Sequence, residues 1–197
     1  MRYSQLIEDV ANDIAVFYGG RFQPMHSGHH QVYMDLVEQF GSSNVFIATM
    51  LAQNADPSKN PFTWEEKTMI MQKMFGIPAK QILNTSPYRP DVKLTGKDPN
   101  NTAIVLVFSA KDAGRLKGGN YLRDYVPGQE LLPGDQAGYI LEVGIKEGGM
   151  SATDFRNEMQ NEAVPEEKKR DTFMKFFGSF NEKMYNWIKD KLNANAS

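Results

Sequence analysis

Short apolar runs alternate with stretches of helical periodicity along the first three quarters of the chain. Residues 13–18 (DIAVFY) form an apolar run stopped by Gly19 and Gly20, the pattern of a buried strand ending in a tight turn. Residues 28–40 then read as a helix and residues 44–50 (NVFIATM) as a second strand. A second helix is predicted over residues 63–75, where Trp64, Lys67, Met71 and Met74 fall at helical spacing behind Thr63 and two glutamates. Residues 80–84 read as a third strand. Residues 102–109 (TAIVLVFS) are the strongest apolar run and are expected to form a central parallel strand, buried on both faces. Residues 139–145 (YILEVGI) give a further strand, followed by Gly148 and Gly149 and a helix opening near Ser151. This alternation predicts an α/β fold, a Rossmann-like doubly wound parallel sheet whose ligands lie outside the carboxyl ends of its strands.

Beyond Pro165 the pattern changes. Phe173, Phe176, Phe177, Phe180, Met184, Trp187 and Ile188 recur at steps of three and four, so a helical tail is expected. Gly178 should interrupt it, giving two helices that fold over the sheet. Core packing accounts for such a stripe, and a subunit interface in a homo-oligomer is its other use. The chain is therefore read as one domain over residues 1–164 with a C-terminal helical extension, residues 165–197, packed on it. Residues 86–101 and 118–138 look like long loops, which in compact domains often carry function.

Composition narrows the class. With 197 residues, 41% of them hydrophobic, and a net charge of -2, this is ordinary globular composition rather than that of a disordered chain. No apolar run approaches a membrane span, and the start MRYSQLIEDV lacks the apolar centre of a secretory signal, so a cytoplasmic site without membrane association is expected. The absence of Cys removes disulfides, thiolate nucleophiles and Cys-ligated zinc. The charge balance also argues against nonspecific nucleic-acid binding, which needs a basic excess.

The candidate chemistry concentrates in residues 19–30, GGRFQPMHSGHH, between a strand end and a helix start. A phosphate placed there meets backbone N–H groups and the positive end of the helix dipole, with Gly19, Gly20 and Gly28 permitting close approach. Arg21 adds a bidentate cation. The stretch has neither the GxGxxG fingerprint nor a Gly-Lys-Ser/Thr loop, so a different phosphate site is implied. His26 and His29, three apart, can point the same way from the first turn and hold two phosphate oxygens. Zinc would need a third ligand that neighbouring carboxylates and the missing Cys do not supply. All three histidines of the chain lie within five residues, which core or surface filling explains poorly.

GRFQPMHSGH near the N-terminus, paired with SATDFR after the last strand, resembles the nucleotidyltransferases that carry an HxGH motif and a later ISTAR-like motif. The form GRFQP is similar to nicotinamide mononucleotide adenylyltransferases of the archaeal kind and their bifunctional bacterial relatives. Residues 60–62 (NPF), Glu65, Glu66 and Lys67, and residues 109–112 (SAKD), extend the resemblance over about residues 13–159. It departs from the family at Met150, where a β-branched residue is common, and at residues 111–138, which match no acceptor-site pattern.

The resemblance implies that His26 and His29 bind the triphosphate and stabilise the pentacovalent transition state. It likewise implies that Ser151, Thr153 and Arg156 hold the β and γ phosphates with Arg21, and that Phe22 belongs to the same ATP-binding stretch. Independently, Ser151 reads as the N-cap of a helix with Asp154 as a partial capping box, a second anion site. Trp64 and Tyr88 are candidates for stacking on a nicotinamide or base ring, and Lys111 and Asp112 for touching ribose or phosphate. The expected partners are ATP and a small phosphorylated acceptor such as nicotinamide mononucleotide, with Mg²⁺ accompanying the ATP; no metal ligand is assigned. A cytidylyltransferase or another adenylyltransferase with a different acceptor, and a non-catalytic nucleotide-binding regulator, are the competing readings.

Overall fold

The computed structural model describes residues 10–51, 55–114, 116, 120–144 and 149–194, the side chain of Lys111 excepted. Its centre is a six-stranded, wholly parallel sheet. Strands β1 (Asp13–Gly19) and β4 (Thr102–Ser109) pair in the middle, Val16 opposite Val105. On one side of β1 lie β2 (Val45–Thr49) and β3 (Ile82–Asn84); beyond β4 lie β6 (Gly138–Val143) and then β5 (Leu122–Asp124). The winding reverses between β1 and β4, and a crevice at the carboxyl ends of such a strand pair is where ligands bind in open α/β sheets.

Alternation along the strands sends side chains to two different cores. Val16, Tyr18, Val45, Ile47, Val105 and Val107 face helices α1 (Ser27–Phe40) and α2 (Trp64–Phe75), meeting Val32, Tyr33, Leu36 and Met71. Ala15, Phe17, Phe46, Ala48, Leu106 and Phe108 face the other way, under Val92 of the 3-10 turn Val92–Thr95 and Ala113 of the short helix α3 (Ala110–Ala113). The two central strands are thus buried on both faces, as their unbroken apolar runs require.

A third core holds no strand residue. Phe155 and Met159 of α4 (Ala152–Gln160), Phe173, Phe176 and Phe177 of α5 (Glu166–Phe177), and Tyr185, Ile188 and Leu192 of α6 (Glu182–Ala194) enclose Phe62 and Ile70 from the α2 region. Gly178 separates α5 from α6 in a left-handed conformation, φ 77°, donating its N–H to the Met174 carbonyl. The interruption is where the sequence puts it, but the tail does not cover the sheet. It wedges between α2 and α4, because its aromatic stripe finds apolar partners on those helices.

The other differences are local. The third strand begins at Ile82 because residues 79–81 close a 3-10 turn, and the last strand begins one residue early, at Gly138. Strand β5 was not expected within the 118–138 loop; it has three residues, and its pairing with Gly138–Ile140 of β6, not its own pattern, makes it a strand. Gly148, expected to precede the last sheet-flanking helix, lies outside the described residues. No helix among the described residues is long and apolar enough to cross a membrane.

Candidate active site

Two helix starts, those of α1 and α4, face one cavity of about 410 Å³ at the carboxyl end of β1. At α1, His26 is the N-cap in extended conformation, φ -123° and ψ 172°. Its Nδ1 accepts from the His29 N–H at 3.3 Å, while Nδ1 of His29 accepts from the His26 N–H at 3.4 Å. This is a capping box built from two imidazoles in place of the usual hydroxyl and carboxylate. Because both Nδ1 atoms accept, each ring's proton sits on Nε2 while the imidazoles are neutral. Burial keeps them so: it lowers the pKa of His26, and burial together with the neighbouring His26 pushes His29 down to about 3. The rings stack at 3.7 Å, and His29 is further fixed by Phe22, edge-on at 5.2 Å. Both Nε2–H groups therefore remain as neutral, preorganised donors for the cavity that these histidines line.

The glycines are there for space. A Cβ on Gly19 would lie 2.7 Å from the Phe108 ring, and one on Gly28 would meet the His26 ring at 3.1 Å. The Gly20 N–H is not free for a ligand, since it donates to the Ala48 carbonyl at 3.2 Å. The first-turn donors without an intrahelical acceptor are instead those of Ser27 and Gly28. Phe22 adopts φ 47°, an unusual conformation for a residue with a Cβ, next to the cis Gln23–Pro24 bond. That turn aims Arg21 outward, exposed, while burying Phe22.

At α4, the Ser151 hydroxyl accepts from the Asp154 N–H at 3.1 Å and donates to the Asp154 carboxylate at 2.7 Å. Asp154 thus turns back onto its own cap. Thr153 and Arg156 also line the cavity, but Arg156 is only 6% exposed. Its Nη1 donates to the Gln23 carbonyl at 2.6 Å and its Nη2 to Thr153 Oγ1 at 3.3 Å. Burial first, then the nearby Arg21, lowers its pKa below the ordinary guanidinium value. Arg156 therefore braces the loop after β1 as well as facing the cavity.

The remaining candidates separate. Asp112, which accepts from the Ser109 hydroxyl at 3.3 Å, lies between the main cavity and a neighbouring one of about 630 Å³. Tyr88 lines that neighbour and stacks on Phe108 at 5.3 Å. Trp64 lines neither; it opens α2 with its Nε1 buried and unpartnered, away from the crevice. The side chain of Lys111 lies outside the described residues. His30 is also turned away, stacked on Phe75 at 4.8 Å.

Two supporting residues, both within the stretches that carry the resemblance, were given no role by the sequence. Gln23 is buried and uses its whole amide on Phe62, Nε2 to the carbonyl at 2.8 Å and Oε1 from the N–H at 3.0 Å. Lys67, also buried, reaches the loop from α2. Gln23 meets Phe62, 39 positions on, and Lys67 meets Arg21, 46 positions back, so no local spacing marks either role.

A family model described as cytidylyltransferase-like matches residues 17–131, more than half of the chain and the part that carries the β1 turn, α1 and the strand pair. The chain belongs to the cytidylyltransferase-like family. Its curated relatives include archaeal proteins named nicotinamide-nucleotide adenylyltransferase. That of Methanolobus tindarius is 39% identical over 56 residues, 28% of this chain and 31% of the relative. That of Halobacterium salinarum is 25% identical over 128 residues, 58% of this chain and 71% of the relative, and that of Archaeoglobus fulgidus is 33% identical over 57 residues, 29% and 32%. The matched stretches thus span about a third of two of these relatives' length. Family membership accounts for the parallel sheet and for a nucleotide-sized cavity at its switch point.

Proposed function

We propose that this protein transfers the adenylyl group of ATP to nicotinamide mononucleotide, forming NAD and pyrophosphate. The observation that carries the reading is the imidazole capping box, which leaves two neutral Nε2–H donors opposite the Ser151, Thr153 and Arg156 helix start. A triphosphate laid between the two helix starts would place its α-phosphorus by the histidines and its terminal phosphates by Arg156 and Arg21. An oxygen of the acceptor phosphate attacks the α-phosphorus; the bond from that phosphorus to the β-phosphate bridging oxygen breaks, and pyrophosphate leaves. No nucleophilic side chain is needed. His26 and His29 donate to the oxygens on which charge gathers, and because both are neutral they do so without losing a proton. The neighbouring cavity with Tyr88, Asp112 and Asn60 has the position and size for an acceptor. The names of the archaeal relatives favour nicotinamide mononucleotide there.

Among the described residues no group of three His, Asp or Glu side chains is placed to hold a metal ion. Mg²⁺ would enter the reaction with ATP, as the Mg·ATP substrate. Incubation of ATP or CTP with nicotinamide mononucleotide and other phosphorylated acceptors, followed as pyrophosphate release, tests the assignment. NAD formation from ATP is the expected result. Transfer from CTP alone would make the protein a cytidylyltransferase, and nucleotide binding without turnover would make it a regulator.

A further inference from the structure

Helix α2 turns an apolar face inward through Ile70 and Met71, yet Lys67 on that face is only 1% exposed. Its ammonium has three N–H donors and three acceptors: Thr49 Oγ1 at 2.7 Å, the Arg21 carbonyl at 3.2 Å and the Met50 carbonyl at 3.3 Å. None is a carboxylate. Burying a cation without a counter-ion is costly, and a methionine would fill the same volume without that cost. What the charge does here is join the end of β2 to the turn after β1. That turn matters because Arg21 lines the main cavity, its neighbour beside Tyr88, and a further cavity bounded by Lys59 and Asn157.

We propose that Lys67 is a positioning residue of the nucleotide site, its ammonium tethering the Arg21 turn to β2 and supplying fixed positive charge beneath the bound phosphates. The inference rests on the ATP reading given above. Among the described residues the ammonium meets no carboxylate, and the triphosphate would supply the compensating charge.

A consequence follows for pH. Burial alone lowers the Lys67 pKa, to about 8. Of the charged groups around it, Arg21 lies on the turn whose carbonyl accepts from the ammonium, and Glu66, its neighbour on α2, is paired with Lys191 of α6 at 2.9 Å. A bound polyanion favours the protonated amine, so its pKa is higher in the complex than in the free protein. Affinity for ATP is then greatest below the free pKa and falls as pH rises from there to the pKa of the complex. By linkage, ATP binding takes up protons in that window.

Calorimetric titration of ATP into the wild type, Lys67→Met and Lys67→Arg proteins, at about pH 7 and about pH 9.5 in buffers of different ionisation heat, tests this. A rise of one pK unit on binding weakens the wild-type Kd about tenfold at the higher pH, with net proton uptake near pH 8 to 9. Lys67→Met should bind weakly at both pH values with no uptake, while turnover at saturating ATP changes less than the Michaelis constant. Lys67→Arg should keep its affinity and lose the pH dependence. Wild-type affinity in Lys67→Met, or an unchanged pH slope in either variant, would overturn the proposal. If Lys67→Met fails to fold, the comparison of wild type with Lys67→Arg decides. A wild type that binds no ATP at either pH would instead remove the adenylyl-transfer reading on which it rests.

Discussion

The starts of α1 and α4 line the same cavity, yet they are capped by opposite chemistries. At α1 two imidazoles cap each other, the first turn holds no acidic residue, and the donors left over are neutral and belong to residues that line the cavity. At α4 a hydroxyl caps, a carboxylate sits in the first turn, and the cation that follows is already committed to two protein acceptors. The helices also differ in support: α1 rests on the sheet core, whereas α4 rests on the aromatic core of the C-terminal tail. On the proposed reading, one helix start serves the reacting phosphorus and the other holds the substrate and the turn beside it.

The largest effect should come from removing the tail, which holds the core under α4 and also sets Phe176 edge-on against His26 at 5.4 Å. Truncation before Pro165 would uncover Phe62, Ile70, Phe155 and Met159, each now at most 1% exposed. At roughly 1.5 to 3 kcal/mol per large apolar side chain, the loss is comparable to the whole stability of a typical domain. Insoluble protein, or soluble protein without near-ultraviolet circular dichroism, is expected. A soluble truncation with full turnover would show that α4 stands without the tail.

Next in size is His29→Ala. Losing one preorganised donor to a developing oxyanion costs about a hundredfold to a thousandfold in turnover in other enzymes. The Michaelis constant for ATP should move far less, because the donor acts chiefly in the transition state. Near wild-type kcat in steady-state assays, with folding verified by circular dichroism, would remove His29 from the chemistry.

Arg156→Ala should act on binding and on stability together. A hydrogen bond to a charged group contributes about 1.5 to 3 kcal/mol, so loss of the guanidinium raises the Michaelis constant for ATP roughly tenfold to a hundredfold. The buried Gln23 carbonyl also loses its partner, costing about 1 to 3 kcal/mol in urea unfolding. Arg156→Lys keeps the charge without the fork, so it should recover part of the ATP affinity but not the brace. An unchanged ATP dependence in Arg156→Ala would leave the residue a brace alone.

The contrast between the helix starts was only half legible in the sequence. Apolar runs located β1, β2 and β4 because strands buried on both faces must be apolar throughout, and Gly178 marked the break in the tail because its left-handed conformation favours glycine. His26, His29 and Ser151 stood out because polar residues gather at helix starts for a reason that local spacing encodes. What the tail packs against, and the roles of Gln23 and Lys67, depend on contacts between residues 39 or 46 positions apart, which no local pattern records. Strand β5 was missed for the same reason, its pairing partner lying outside its own segment. Trp64 read as a stacking residue from its chemistry alone, and the fold turned it away from the crevice.

The smallest expected effect concerns the cap of α4. Ser151→Ala removes the hydroxyl that accepts the Asp154 N–H, costing about 1 kcal/mol of stability, which a shift in the urea midpoint would register. The same hydroxyl also donates to the Asp154 carboxylate, so the substitution frees a negative charge beside the cavity proposed to hold the phosphates. Repulsion from an exposed carboxylate is modest and screened by salt, and a rise of a few-fold in the Michaelis constant for ATP is expected, larger at low ionic strength. Pairing Ser151→Ala with Asp154→Asn separates the two roles. The double variant should regain wild-type ATP dependence, since the repelling charge is gone, while keeping most of the stability loss, since the cap is not restored. If instead the ATP dependence stayed raised in the double variant, the Ser151 hydroxyl would itself be touching phosphate.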